Sequence, residues 1–245
     1  MTTINESLAD ARDMFTVHTM FRREFGLMPG LIRAVTAGDT QRVTLVADHV
    51  ALVSDVLHAH HSSEDEHIWP RLRDRCPGEC ALLVDVMEDQ HHAIHTRLQQ
   101  ATDAVEAWRD SASAGTRDAL AGAVGSLIPI TREHLSLEEE RVVPLIEKHI
   151  TRAEYIVLAQ EGAAHVAPDK LPAVLGMVLY EAAPPVAEMI IAEMPPDVQP
   201  VIADLAALAY AAYARELYGT GMPPRVTGQA RRGPARGAPG RDPTG

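Results

Sequence analysis

One pattern, written twice, constrains this chain more than anything else in it: a histidine, a glutamate four residues on, and a proline six residues after that. It occurs as His60, Glu64 and Pro70 in HHSSEDEHIWP and again as His134, Glu138 and Pro144 in HLSLEEERVVP. Residues four apart share a helix face, so each copy directs one imidazole and one carboxylate at the same point. His18 and the pair His91 and His95 raise the set to five imidazoles and two carboxylates. This is a di-metal site in outline, carried on helices.

The rest of the chain reads as helix. Alanine and leucine are plentiful and aromatics make up 4% of residues, which suits helices packed on helices better than a sheet. Apolar residues at three-to-four spacing predict a first helix over 8–28, with Met14, His18, Phe21 and Phe25 on one stripe and Pro29-Gly30 interrupting it. Gly38-Asp39 announces a second helix over 39–74, which Pro77-Gly78 ends. A third is predicted over 80–109 and a fourth over 116–149, with Pro129 expected to kink the fourth. The expected fold is all-α: an up-down-up-down four-helix bundle over 1–150 with a smaller helical extension over 151–221. Thr151-Arg152-Ala153-Glu154 is a capping box that should open the extension, and repeated prolines divide it into three or four short helices. Residues 222–245, rich in Gly, Pro and Arg, are expected to be a disordered basic tail.

The net charge is −12, and the five arginines and one aspartate from Met222 onward leave −16 on residues 1–221. An acidic body excludes a general nucleic-acid binder, which needs a basic surface for phosphates. Residues 171–194 are greasy but carry Glu181, Glu188, Glu193 and three prolines, a poor membrane span. The start has no apolar leader core, so a cytoplasmic protein is expected. Cys76 and Cys80 read as reduced thiols flanking a Pro-Gly turn, with a disulfide or metal clip as the alternative.

Counting outward from the turns tests whether the ligand-type residues converge. Glu64 lies 13 residues before Pro77 and His91 14 after it, a close match in height. The heights of His95 against His134 and of His18 against His60 differ by about 8–15 Å. Imidazole with carboxylate suits iron, zinc or manganese. With both glutamates bridging and a bridging oxygen added, eleven of the twelve positions of an octahedral pair are filled, and one stays open for a small oxidant. His61 and His92 each follow a proposed ligand and should face about 100° away from it, so they are left out. His67 reads as a support to the site or as simply packed, His49 as packed or at the bundle end, and His58 and His149 as surface. Glu139 and Glu140 read as a solvated charge run, and Tyr155, Tyr180, Tyr213 and His165 as packing.

Over about residues 8–150, FTVHTMFRREF, HHSSEDEHIWPRL, EDQHHAIHTRL and REHLSLEEERVVPLI resemble the hemerythrin-like proteins, also called the histidine–histidine–glutamate cation-binding family. The resemblance implies two iron ions, oxo- or hydroxo-bridged, on His18, His60, Glu64, His91, His95, His134 and Glu138. It implies dioxygen, peroxide or nitric oxide as small ligands, and the extension is similar to that of some actinobacterial members. Oxygen-carrying members place an aspartate five residues after the last histidine, where this chain has Glu139. Three functions are consistent with such a site. The leading one is binding of dioxygen or a related small oxidant; an oxidoreductase consuming peroxide or nitric oxide and an iron- or oxygen-responsive sensor are the alternatives.

Overall fold

A computed structural model describes residues 7–225, and among these the chain consists of helices joined by short turns, with one isolated β-bridge between Leu8 and Thr151. The calls on the basic tail past Arg225 lie outside the described residues. Helix α1 spans Arg12–Arg33 and continues through Pro29, where an interruption was expected. Met28 and Ile32 are fully buried on its core stripe, and that packing outweighs one lost backbone hydrogen bond. Helix α2, Thr40–His67, starts where the sequence places it, with the Asp39 carboxylate accepting from the Arg42 N–H at 3.0 Å.

The expected second helix breaks at Ile68, and a short α3 covers Trp69–Arg75. Pro70 has no N–H to give the carbonyl of Glu66, so the helix cannot pass straight on. Helix α4, Pro77–Ser111, begins at Pro77, earlier than expected, because proline suits a first turn. Its opening turn holds a Cys76–Cys80 disulfide in place of the expected pair of free thiols. The two cysteines stand one helical turn apart, with Cα atoms 5.5 Å from each other, within bridging reach. Helix α5, Ala114–Leu137, is capped by Ser113 and runs through Pro129. It passes into a π-helical turn, Glu138–Val142, and then α6, Val143–His149.

Beyond these, Thr151 and Glu154 form the expected capping box at the start of α7, Arg152–Ala164. Helices α8, Leu171–Glu181, α9, Pro184–Ala192, and α10, Gln199–Tyr218, follow. None of the described helices is long and apolar enough to cross a membrane.

Side-chain pairs fix how the long helices lie. Asp48 meets Arg109, and His61 meets His91, so α2 and α4 run antiparallel. His18 meets Glu139 and Arg22 meets Ser136, so α1 and α5 do too. Two apolar clusters form the core. One holds Phe21, Leu57, Ile94 and Leu135; the other holds Met14, Ile68, Met87 and Val142. On α1, α2 and α4 the ligand-type residues lie between these two sets, and on α5–α6 they lie between Leu127 of the first and Val142 of the second, so a polar layer divides the core.

The extension shares the first cluster through Met177, Tyr210, Ala214 and Leu217. Where α8 crosses α10, a Cβ on Gly176 would stand 2.2 Å from the Ala206 carbonyl oxygen, so only glycine permits the approach. A buried charge network joins extension to bundle. The Glu24 carboxylate accepts from Arg23 at 2.5 Å and from the Tyr210 hydroxyl at 3.1 Å, and also from Tyr218. Arg23 also donates to Glu181 at 2.5 Å. His49 takes its place here, bonded to Tyr213 at 3.0 Å and Tyr218 at 3.1 Å. Burial alone would raise the Glu24 carboxyl, but His49, Arg23 and Tyr218 outweigh it and hold the group down at about 2.

Two outcomes are expected. Gly176→Ala should lower urea stability by about 1–3 kcal/mol, the usual cost of overpacking, and an unchanged midpoint would contradict the crossing described above. Because the folded Glu24 is depressed, its contribution is complete above its unfolded value of 4.5 and lost as pH falls toward about 2. Glu24→Gln should therefore cost on the order of 3 kcal/mol at neutral pH and flatten the loss of stability over that acid window in pH-dependent urea melts.

Candidate metal centre

The geometry of α2 explains why its motif supplies three donors. At about 100° per residue, Glu64 projects about 40° from His60 and about 60° from His61, so the carboxylate lies between two adjacent imidazoles. The structure uses both. His60 Nε2 is 3.3 Å from His18 Nε2 and 3.3 Å from one Glu64 oxygen. His61 stacks on His91 with ring centroids 4.2 Å apart, and His91 Nε2 is 3.6 Å from the other Glu64 oxygen. On the facing side, Glu138 Oε2 is 3.4 Å from His18 Nε2 and 3.6 Å from His134 Nε2. His91 Nε2 and His134 Nε2 approach to 3.2 Å.

The donors thus form two imidazole groups, His18 with His60 and His61 with His91 and His134, and Glu64 and Glu138 touch both. Of the five imidazoles expected from the sequence, His18, His60, His91 and His134 meet the two carboxylates and His95 does not, while His61, left out of the expected set, stands among them. On α4 the buried stripe runs through Met87, His91, Ile94 and Leu98. His95 lies about 70° from the middle of that stripe. It is exposed, with its ring 4.8 Å from that of His58.

The far nitrogens of three imidazoles are held by partners. Asp65 is 2.7 Å from His91 Nδ1, Gln90 Oε1 is 3.1 Å from His134 Nδ1, and Glu139 is 3.1 Å from His18 Nδ1. Arg22 donates to the same Glu139 oxygen at 2.6 Å, and Trp69 Nε1 donates to Asp65 at 2.8 Å. A proton held on Nδ1 by such a partner leaves Nε2 as a lone pair facing inward. Glu139 is therefore not part of a solvated run; it is four-fifths buried, while Glu140 is exposed.

The π-helical turn makes this possible. Pro144 cannot donate to the Glu140 carbonyl, the turn widens, and the Val143 N–H bonds to the Glu138 carbonyl instead. Glu138 and Glu139 then take opposite edges of one imidazole, His18. His67 turns to α7, with Nε2 2.6 Å from Glu161.

Burial and electrostatics set the protonation. Burial, and then the neighbouring Glu138, push the Glu64 carboxyl well above the usual carboxylate range. Burial, followed by His18 for His60 and by His91 for His61, pushes both imidazoles well below theirs. Burial, then His91, brings His134 down to about 2. Imidazoles kept neutral are the form a metal binds. Both oxygens of Glu64, both of Glu138 and Nε2 of His61 are buried without a hydrogen-bond partner. So many unpaired polar atoms at one point would be costly unless a cation sits among them, and the residues present fit a pair of transition-metal ions.

A cavity of about 310 Å³ opens beside the centre. The buried His61 and His91 line it, together with the exposed Asp65, His58, Glu88 and His95. The His-His-x-x-Glu spacing at 60–64 could have revealed His61. Nothing local announces Asp65 or Gln90, whose roles depend on neighbouring helices.

The chain matches the family model described as the hemerythrin HHE cation-binding domain over residues 10–158. No curated protein and no solved structure matches it.

His61→Ala should weaken binding of the bound metal at least about tenfold, and His95→Ala should leave the final metal content unchanged. Metal analysis after dialysis decides; the reverse pattern would return the fifth imidazole to His95.

Proposed function

The chain belongs to the hemerythrin HHE cation-binding family, and from that premise we propose that it is a non-haem di-iron protein acting on a small oxidant. The proposed ligands are His18, His60, Glu64, His61, His91, His134 and Glu138. Helices α1, α2–α3, α4 and α5–α6 are read as an up-down-up-down bundle around them, with α7–α10 as its extension. The carrying observation is the meeting of five imidazoles and two unpaired carboxylates in one buried layer. If each imidazole gives one bond and each carboxylate two, the side chains supply about nine of the twelve positions of an octahedral pair. Iron bound there supplies redox chemistry toward dioxygen, peroxide or nitric oxide at a position the protein leaves open.

The protein's own groups set the conditions for that chemistry. Asp65, Gln90 and Glu139 hold the Nδ1 protons of His91, His134 and His18 and keep each Nε2 directed inward. Arg22 fixes Glu139, and Trp69 fixes Asp65. Phe21 and Leu57 on one side and Ile68 and Met87 on the other exclude water along the helix axes.

The cavity favours consumption of peroxide over storage of dioxygen. A carrier needs a closed apolar pocket, and here His61 and His91 line an open cavity with polar walls. Iron-loaded protein is expected to consume hydrogen peroxide catalytically, and Glu64→Ala should abolish both bound iron and turnover. A visible band that appears when air is admitted to reduced protein and vanishes on degassing, with no peroxide turnover, would instead establish carriage. Neither response in iron-loaded protein would end the proposal.

A further inference from the structure

The cavity beside the metal centre carries a second imidazole pair that the centre does not use. His58 on α2 and His95 on α4 have ring centroids 4.8 Å apart and planes tilted by 34°, and both residues are exposed. Among the described residues neither ring makes a hydrogen bond, so their nitrogens remain available to an incoming ligand. Within the same cavity lies the buried, stacked pair His61 and His91, with centroids 4.2 Å apart. His58 precedes His61 by three residues, and His95 follows His91 by four. Since α2 and α4 are antiparallel, both steps run the same way, about 4.5 and 6 Å along the helices. The result is two imidazole rungs, one at solvent and one in the buried layer, both lining the same cavity. Asp65 and Glu88 add carboxylates to that wall. In an acidic protein, such a cleft concentrates cations.

We propose that His58 and His95 form a capture site for a divalent transition-metal ion, from which the ion passes to His61 and His91. Two imidazoles and solvent make a weaker, more exchangeable site than the five imidazoles and two carboxylates below, so transfer runs inward. Side-chain rotation in the open cavity brings a nitrogen of each ring onto one ion, and no covalent or redox step is involved. The inference rests on the metal-centre reading, and its test separates the two.

Cobalt(II) is the probe, mixed with metal-free full-length protein while its visible ligand-field band is followed by stopped flow. The double variant His58→Ala/His95→Ala should load about tenfold more slowly than the parent at limiting cobalt, with the same final stoichiometry and spectrum. Equal loading rates would overturn the capture site. A lower final stoichiometry in the double variant would also overturn it, because it would place one of these histidines among the ligands of the centre itself. The metal-centre reading is tested by His61→Ala: if the parent binds cobalt but this variant gives an identical spectrum and stoichiometry, that reading fails and takes the capture site with it.

Discussion

Everything in this molecule is arranged around a layer of buried polar atoms that protein hydrogen bonds do not satisfy. His18, His60, His91 and His134 present ring nitrogens to Glu64 and Glu138, His61 joins His91 and His134, and the four carboxylate oxygens have no hydrogen-bond partner. The layer cuts the hydrophobic core in two, with Phe21, Leu57, Ile94 and Leu135 on one side and Met14, Ile68, Met87 and Val142 on the other. An unpaired buried polar group costs about 1–3 kcal/mol, and more when charged, so such a layer is tolerable only where a cation supplies the missing partner. A fold that keeps this layer buried gives up hydrophobic continuity in exchange for a binding centre.

The prolines that accompany the two motifs serve the same end by different routes. Pro70 stops α2 at His67 and sets the chain off along α3, which brings Trp69 over Asp65 and so fixes the partner of His91. Pro144 leaves the helix continuous but wider, and the π-helical turn aims Glu138 and Glu139 at the two nitrogens of His18. In both copies a missing backbone donor fixes how an imidazole of the buried layer is held.

The extension is bound to the bundle by a second, separate polar cluster, and here partners are plentiful. Glu24 is met by Arg23, Tyr210 and Tyr218, and His49 by Tyr213 and Tyr218. The contrast between the two buried clusters is informative. One is satisfied within the protein and holds α8 and α10 against α1 and α2; the other is left unsatisfied and marks the centre.

Much was legible in the sequence because it depends only on local periodicity. The helical class follows from three-to-four spacing, the caps at Asp39 and Thr151 from side chains beside the backbone they bond, and the donor inventory from residue types. What the sequence left open was how far each helix is rotated about its own axis, since residues distant in the chain fix that by packing. Ile94 and Leu98 turn His95 out to the cavity mouth, and Glu64 lies between His60 and His61 so that both face the layer. Similarly, Glu139 read as a surface charge until the widened turn carried it against His18. The sequence by itself determined that His18, His60, His91, His134, Glu64 and Glu138 would be carried on helices at spacings that let them converge; the tertiary structure alone brought His61 into the layer and left His95 outside it, because angles within a helix are intrinsic to the backbone and the rotation of each helix about its axis is set by the core.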